Sequence, residues 1–281
     1  MNLLEIRTEI RRILAETTAA SSYFSDADIN KFINEGIKHM CIEAGVYEKT
    51  IPITVVTGDA TYLLPLEFIS MKTLLNQNKI PLDPIMVGQV GSVYTIDGKP
   101  LNYYMTQEAI TLNVWTVATP YVIFPSTCLI ASTYIRPTTA NGFTYECVVS
   151  GSSHATTEPT WGLILGTRLA DAAGASLTWA CRELFSTLYT LNLYTTPTLV
   201  GGGIGTYTAI FSAMDEGLYV DTDSPNFPFD KQHYLVLYGS HRCAVKAKDL
   251  QLAMAFLADY SAGLGLKVSA PGGGGEVAPQ S

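Results

Sequence analysis

The chain has 281 residues, enough for one large core or two modest ones. Only 15% of them are charged and the formal net charge is −8, which argues against a protein whose task is to grip nucleic acid by neutralising phosphates.

A helix is expected over Leu3 to Thr17, with Leu3, Ile6, Ile10, Ile13 and Leu14 as its apolar stripe. Arg7 and Arg11, four apart, share a side; they read either as a basic patch or as a solvated face with local Glu–Arg pairs. The opening MNLLEIRTEIRR lacks the order of charge, apolar core and cleavage site of a signal peptide, so no cleaved leader is expected. A second helix starts at Ser25, where Asp28 completes a capping box, carries Ile29, Phe32, Ile33, Met40, Cys41 and Ala44 at helical spacing with Ile37 beside them, and ends at Gly45. The period then changes from helical to alternating. Ile51, Ile53 and Val55, the turn Gly58-Asp59, and Thr61 to Leu64 predict a β-hairpin over Ile51–Leu64.

Phe68 to Leu75 reads as a strand, Asn76-Gln77-Asn78 as a turn, Ile80 to Pro84 as extended and Ile85 to Val93 as a short helix. Asp97-Gly98 is a further turn signal, and Leu101–Met105 with Ile110–Trp115 are expected to pair. From Thr116 to Glu183 helical periodicity is lost. Short β-rich runs at Tyr121–Phe124, Cys128–Ile135, Phe143–Val149 and Ser176–Cys181 suggest a small sandwich or barrel. Leu184 to Leu199 returns to the main sheet or extends as an arm. Gly201 to Gly205 is a hinge, Tyr207 to Leu218 is weakly helical, and Asp221 to Pro228 is loop. Helices resume with Asp230 and Asp249 as caps. Leu250, Ala253, Met254, Leu257 and Tyr260 form the last stripe and Gly263 is its stop. The tail from Lys267 is rich in Pro, Gly and Ala and cannot form a core of its own.

Candidate chemistry is thin. Gly201–Gly205 lacks the Gly-Lys-Ser/Thr of a phosphate loop, and Asp221-x-Asp223 lacks the other ligands of a calcium loop. Glu158 and Asp171 could form a glycosidase pair, but Glu158 sits in an EPTW string that reads as structural. Trp115, Trp161 and Trp179 are either a sugar-stacking platform or core plugs. The histidines His39, His154, His233 and His241 have no metal-ligand spacing. Five cysteines at wide spacing (Cys41, Cys128, Cys147, Cys181 and Cys243) fit neither a disulfide scaffold nor a zinc site, leaving reduced thiols or a single Cys147–Cys181 bridge. No cofactor, metal or catalytic residue is expected, no run of about eighteen apolar residues offers a membrane span, and the chain is not read as an enzyme.

The strings SDADINKFINE and TGDATYLLPLEF, then GKPLNYY…ITL, and finally FPFDKQHYLVLYGSHRCAVKAKDLQLAMAFLADYSAGL resemble the head-to-tail adaptor (connector) proteins of tailed bacteriophages. The likeness covers Leu3 to Trp115 and resumes from Phe229 to Leu266. NGFTYECVVSGSSHATTEPTW…LTW resembles a small β module of phage virion proteins inserted into that core. The resemblance implies an α+β fold with N- and C-terminal helices forming a helical bundle, a small antiparallel sheet or hairpin, and an inserted all-β, sandwich-like domain. Its layout is 1–115 adaptor core, 116–183 β insert, 184–228 β-arm and loop, 229–266 closing helices and 267–281 extended tail.

The resemblance further implies a homo-oligomeric ring of twelve beneath the portal protein, contacting tail tube, nozzle or fibre proteins and passing double-stranded DNA without reading it. The place is the virion neck, after assembly in the host cytoplasm. Interface candidates are Arg7, Arg11, Arg12, Val55, Tyr62, Lys267, Val268 and Pro271. The alternative is a carbohydrate- or receptor-binding tail protein working through the Trp-bearing module; a wall hydrolase lacks its acid, base or metal.

Overall fold

The computed structural model describes residues 1–16, 23–91, 98–123, 133–171, 176–199 and 203–266. The fold is α+β. By chain contacts it divides into a helical unit, Met1–Val46 with Val220–Ser281, and a strand unit, Tyr47–Tyr219.

The helical unit holds α1 (Leu3–Ile13), α2 (Asp26–Glu43), α3 (Phe229–Lys246) and α4 (Leu250–Leu264). Sequence signals set most of their ends. Asn2 and Glu5 form a capping box for α1, and Ser25 and Asp28 form the one expected for α2, each satisfying donors left free in the first turn. Gly45 takes φ 55 just past α2. Asp249 caps α4 by accepting from the Leu252 N–H at 3.1 Å.

Two expected signals are corrected. Asp230 lies inside the first turn of α3, whose cap position is Pro228 with no side-chain bond; its charge still suits the positive end of the helix. Gly263 does not stop α4. The left-handed residue is Gly265, φ 68, and at Gly263 a Cβ would run into the Tyr234 ring. Gly263 is therefore there for close packing rather than for a turn.

Helix α3 packs on α1, α2 and α4. Glycines let it approach closely: a Cβ at Gly36 would lie 2.9 Å from Tyr238 Cδ1, and one at Gly239 would strike Ile10. Ile6, Ile10, Ile29, Ile33, Ile37, Met40, Leu235, Val236 and Tyr260 are buried there. Arg242–Glu35 at 3.0 Å and Lys246–Asp28 at 2.8 Å tie α3 to α2, and His39 Nδ1 meets the Tyr260 hydroxyl at 2.8 Å, tying α2 to α4.

The strand unit contains β1 (Glu48–Val55), β2 (Thr61–Leu63), β3 (Phe68–Leu75), β4 (Asp83–Pro84), β5 (Asn102–Ala109), β6 (Asn113–Val114), β7 (Pro120–Tyr121), β8 (Tyr134–Arg136), β9 (Phe143–Val149), β10 (Gly151–Ser152), β11 (Arg168–Ala170), β12 (Thr178–Glu183), β13 (Thr187–Tyr194) and β14 (Gly205–Ala213). They form sheets ordered β1-β14-β3, β2-β13-β5-β4, β11-β12-β9-β8-β6 and β10-β7.

The expected hairpin is not a hairpin. Gly58 makes the turn, φ 89, and the Tyr62 hydroxyl braces it by donating to Asp59 O at 2.7 Å, but the two arms join different sheets. β1 pairs over eight residues with β14, and β2 pairs with β13. The turn signal fixed a chain reversal; the longer ladder with β14 fixed the partner. Pro52 is tolerated because β1 is an edge strand.

Likewise β5 pairs with β13 and β4, and β6 with β8, so Leu101–Met105 and Ile110–Trp115 do not pair with each other. Residues 205–213 form a strand, not a helix: Tyr207, Ala209, Phe211 and Ala213 point inward at period two. The segment after Pro84 gives a single 3-10 turn at Val87–Gln89. The turn after β3 is built as read, with Asn76 Oδ1 accepting from Asn78 N at 2.9 Å and Ile80 N at 3.1 Å.

Two cores sit in this unit. The first, shared by the three- and four-stranded sheets, includes Ile53, Val55, Leu64, Leu74, Leu191, Tyr207 and Phe211. The second lies on the five-stranded sheet with Tyr121 of β7 against it, and is built on Trp115, Tyr121, Tyr145, Cys147, Trp179 and Cys181.

Candidate interface residues

Of the three arginines of α1, two are committed internally. Arg7 is 8% exposed. Its guanidinium donates to Asn30 Oδ1 at 3.2 Å and Asp221 Oδ1 at 2.9 Å, and its Nε lies 3.5 Å from Asp26. Arg11 donates to Glu16 at 3.1 Å, Asp26 at 2.6 Å and the Phe24 carbonyl at 3.0 Å. The two charges anchor α1 to the start of α2 and to the loop before α3. Arg12 faces solvent and forks onto Glu9 one turn back, at 2.9 and 2.5 Å; that bond holds the Glu9 carboxyl below its usual range.

Asp221 and Asp223 also cap. Their carbonyls accept from Leu4 N and Leu3 N at 3.2 and 2.8 Å, satisfying donors at the start of α1 from more than two hundred residues away in sequence. Sequence reading placed a loop here but had no signal for that partner.

Val55 is 2% and Tyr62 7% exposed, both within the first strand core. Lys267, Val268 and Pro271 lie outside the described residues, as do Cys128, Gly201 and Gly202.

The polar residues singled out for chemistry serve the second strand core. Asp171, 3% exposed, accepts from both Trp115 Nε1 at 3.0 Å and Trp179 Nε1 at 2.8 Å through one oxygen, and from the His154 N–H through the other. Glu158 accepts from Trp161 Nε1 at 2.7 Å and Thr138 N at 2.8 Å. Burial raises its pKa, but these bonds outweigh that and leave it below the usual range. Trp161 packs at a 42° tilt against Tyr145 with centroids 4.3 Å apart, and Trp179 is fully buried. All three indoles are therefore packed and tied to side chains within the strand unit. Cys147 and Cys181 are free, buried thiols; burial pushes Cys147 up to about 12. Among the described residues no cluster of His, Cys, Asp or Glu could hold a metal ion, and no helix is long and apolar enough to cross a membrane.

The surface that sequence reading missed is apolar. On α4 the expected stripe splits: Ala253 and Tyr260 are buried, while Leu250 is 68% and Met254 45% exposed. With Ala258 and Ala262 they form an outward row four residues apart, and Asp259 is the only charge in this helix. The signal was present, since Leu250, Met254, Ala258 and Ala262 share one spacing; a stripe this wide covers more than α3 can bury. In the strand unit, Met86 and Val87 project from the 3-10 turn, and Leu163 and Ile164 from the loop before β11.

The model of the SU10 adaptor protein family matches residues 1–190, about two thirds of the chain. No curated protein matches. The family is a structural one and not an enzyme class, and membership places the chain in the phage virion in contact with other phage proteins. The match starts at Met1 and runs through α1, α2 and the strands as far as Thr190. The chain belongs to the SU10 adaptor protein family, a family of phage head-to-tail adaptors.

Proposed function

We propose that copies of this chain close into a ring of twelve that joins the portal to the tail and lines the path of the DNA. The family match over residues 1–190 carries this reading. In it, the N- and C-terminal helices form a bundle that packs side by side with its neighbours, and repeated contacts between unlike faces close by rotation. The exposed row Leu250, Met254, Ala258 and Ala262 supplies the apolar part of that contact, since an exposed apolar patch of this kind marks an association surface.

Arg12, with its head in solvent at the end of α1, is the arginine best placed to meet an acidic portal surface. The first strand core, with Val55 and Tyr62, holds the Gly58 turn in shape to reach a neighbour, and residues 267–281 extend to an adjoining copy, the portal or the tail tube. The module spanning 116–183 projects as a sandwich-like bracing surface for nozzle or fibre proteins. The net charge of −8 suits a channel that DNA passes without adhering. Mass measurement and electron microscopy of the purified chain, alone and with its portal, test the proposal. Twelve-fold rings that cap the portal support it, and a strict monomer without affinity for the portal overturns it.

A further inference from the structure

The strand unit carries a groove whose occupant can be named. The chain returning from the turn after β3 pairs with it through Leu82 N to Leu74 O, 2.8 Å, and then leaves to join β5 through Ile85 N to Tyr103 O, 2.8 Å. A groove of about 480 Å³ opens where the two part, beside Phe68, Met71, Pro84, Tyr103, Met105 and Tyr189. That volume is in the usual range for a ligand site. Met71, Met105 and Tyr189 are only partly buried, and the Tyr189 ring packs at a 59° tilt against Phe68 with centroids 5.1 Å apart.

The rim strand β3 is not a template for an added strand. Its register with β14 slips twice, between Ile210/Phe211 and between Ser212/Ala213, and Lys72 is exposed on it. An occupant must therefore bind through side chains. An aromatic- and Met-lined groove with proline on its wall suits a proline-bearing extended segment, which enters with little conformational freedom left to lose.

One part of the chain has that chemistry. Residues 267–281, KVSAPGGGGEVAPQS, hold two similar strings, Val268-Ser269-Ala270-Pro271 and Val277-Ala278-Pro279, joined by four glycines and bearing one charge of each sign. Their side chains are small enough for the groove. Fifteen residues reach about 50 Å when extended. The other segments outside the described residues are nine residues or fewer and each links two described elements.

We propose that an Ala-Pro string from residues 267–281 of one copy seats in the Met71–Tyr189 groove of another. The inference rests on the reading of this chain as an assembly of copies.

The test uses the full chain carrying Pro271→Ala and Pro279→Ala, whose own tail cannot compete, and a fluorescent peptide of residues 267–281 followed by anisotropy. Saturable binding is expected, weakened at least tenfold when both prolines of the peptide are replaced by alanine and when the acceptor carries Met71→Glu. The peptide variant involves no folding, so it stands if the acceptor variant misfolds. Absence of saturation at millimolar peptide, or equal binding by the proline-free peptide, overturns the inference. Ring formation is scored separately by mass. Rings without peptide binding sink the inference alone, whereas specific peptide binding by a chain that never forms rings sinks the ring reading alone.

Discussion

Replacing Asp171 tests whether the second strand core is held by a buried carboxylate. Asp171 accepts three N–H groups: two indoles on one oxygen at 3.0 and 2.8 Å, and the His154 backbone on the other. Asp171→Ala leaves the Trp115 and Trp179 donors buried without a partner. Each orphaned donor costs about 1–3 kcal/mol, partly offset by no longer holding a charge out of water. A net loss of ~3 kcal/mol is expected. Asp171→Asn should be milder. Its remaining oxygen can still serve both indoles, while its amide faces the His154 N–H, donor against donor, for a loss of about 1–2 kcal/mol. All three tryptophans of the chain, Trp115, Trp161 and Trp179, belong to this core, so tryptophan fluorescence in a urea titration reports it directly. An alanine variant within about 0.5 kcal/mol of wild type, or an asparagine variant worse than alanine, would refute the reasoning.

Arg7→Ala should destabilise the helical unit by about 1–2 kcal/mol, because it removes a buried guanidinium that bonds Asn30 and the half-exposed Asp26 and Asp221, whereas Arg12→Ala, whose head lies in solvent, should leave the melt essentially unchanged; urea melts followed by helical circular dichroism compare them. The Asp28 carboxyl is held at about 2 by Lys246 first and Ser25 second. A carboxyl lowered in the folded state stabilises above its unfolded pKa near 3.8, and that share is lost as pH falls toward 2. Asp28→Asn should therefore flatten the pH dependence of melting between about 4 and 2 and leave any higher-pH dependence in place. Leu250→Glu with Met254→Lys should leave the melting temperature of the isolated chain nearly unchanged yet abolish higher-order species in sedimentation velocity. In a Cys128→Ser chain no thiol should react with a disulfide reagent within minutes at pH 8, since Cys147 and Cys243 are each pushed up to about 12 by burial and Cys41 and Cys181 are buried; four should react in guanidinium.

Local structure was written in local sequence. The Ser25–Asp28 box, the Asp249 cap, strand 68–75 and the Asn76 turn depend on residues within a few positions of one another, and each formed where it was read. Partners were less legible. Gly58 announces a reversal but carries no record of whether Val55 will face Leu63 or Gly205, and the choice was made by a strand 150 residues away. The 205–213 strand was missed although Tyr207, Ala209, Phe211 and Ala213 alternate, because Gly203 before it, Gly205 at its first position and Gly217 after it masked the short run. At the candidate interface the same rule holds. Arg7 and Arg11 share a helix face as read, but the acids that claim them, Asp26 and Asp221, come from other elements. The exposed row on α4 needed the width of α3 to be known before it could be separated from the core.

The most direct test of the adaptor reading is the native mass of the full-length chain mixed with its portal. A complex in which twelve copies cap one portal ring, lost with Leu250→Glu and Met254→Lys, is what the account requires. A chain that stays monomeric and leaves the portal bare at micromolar concentration contradicts it.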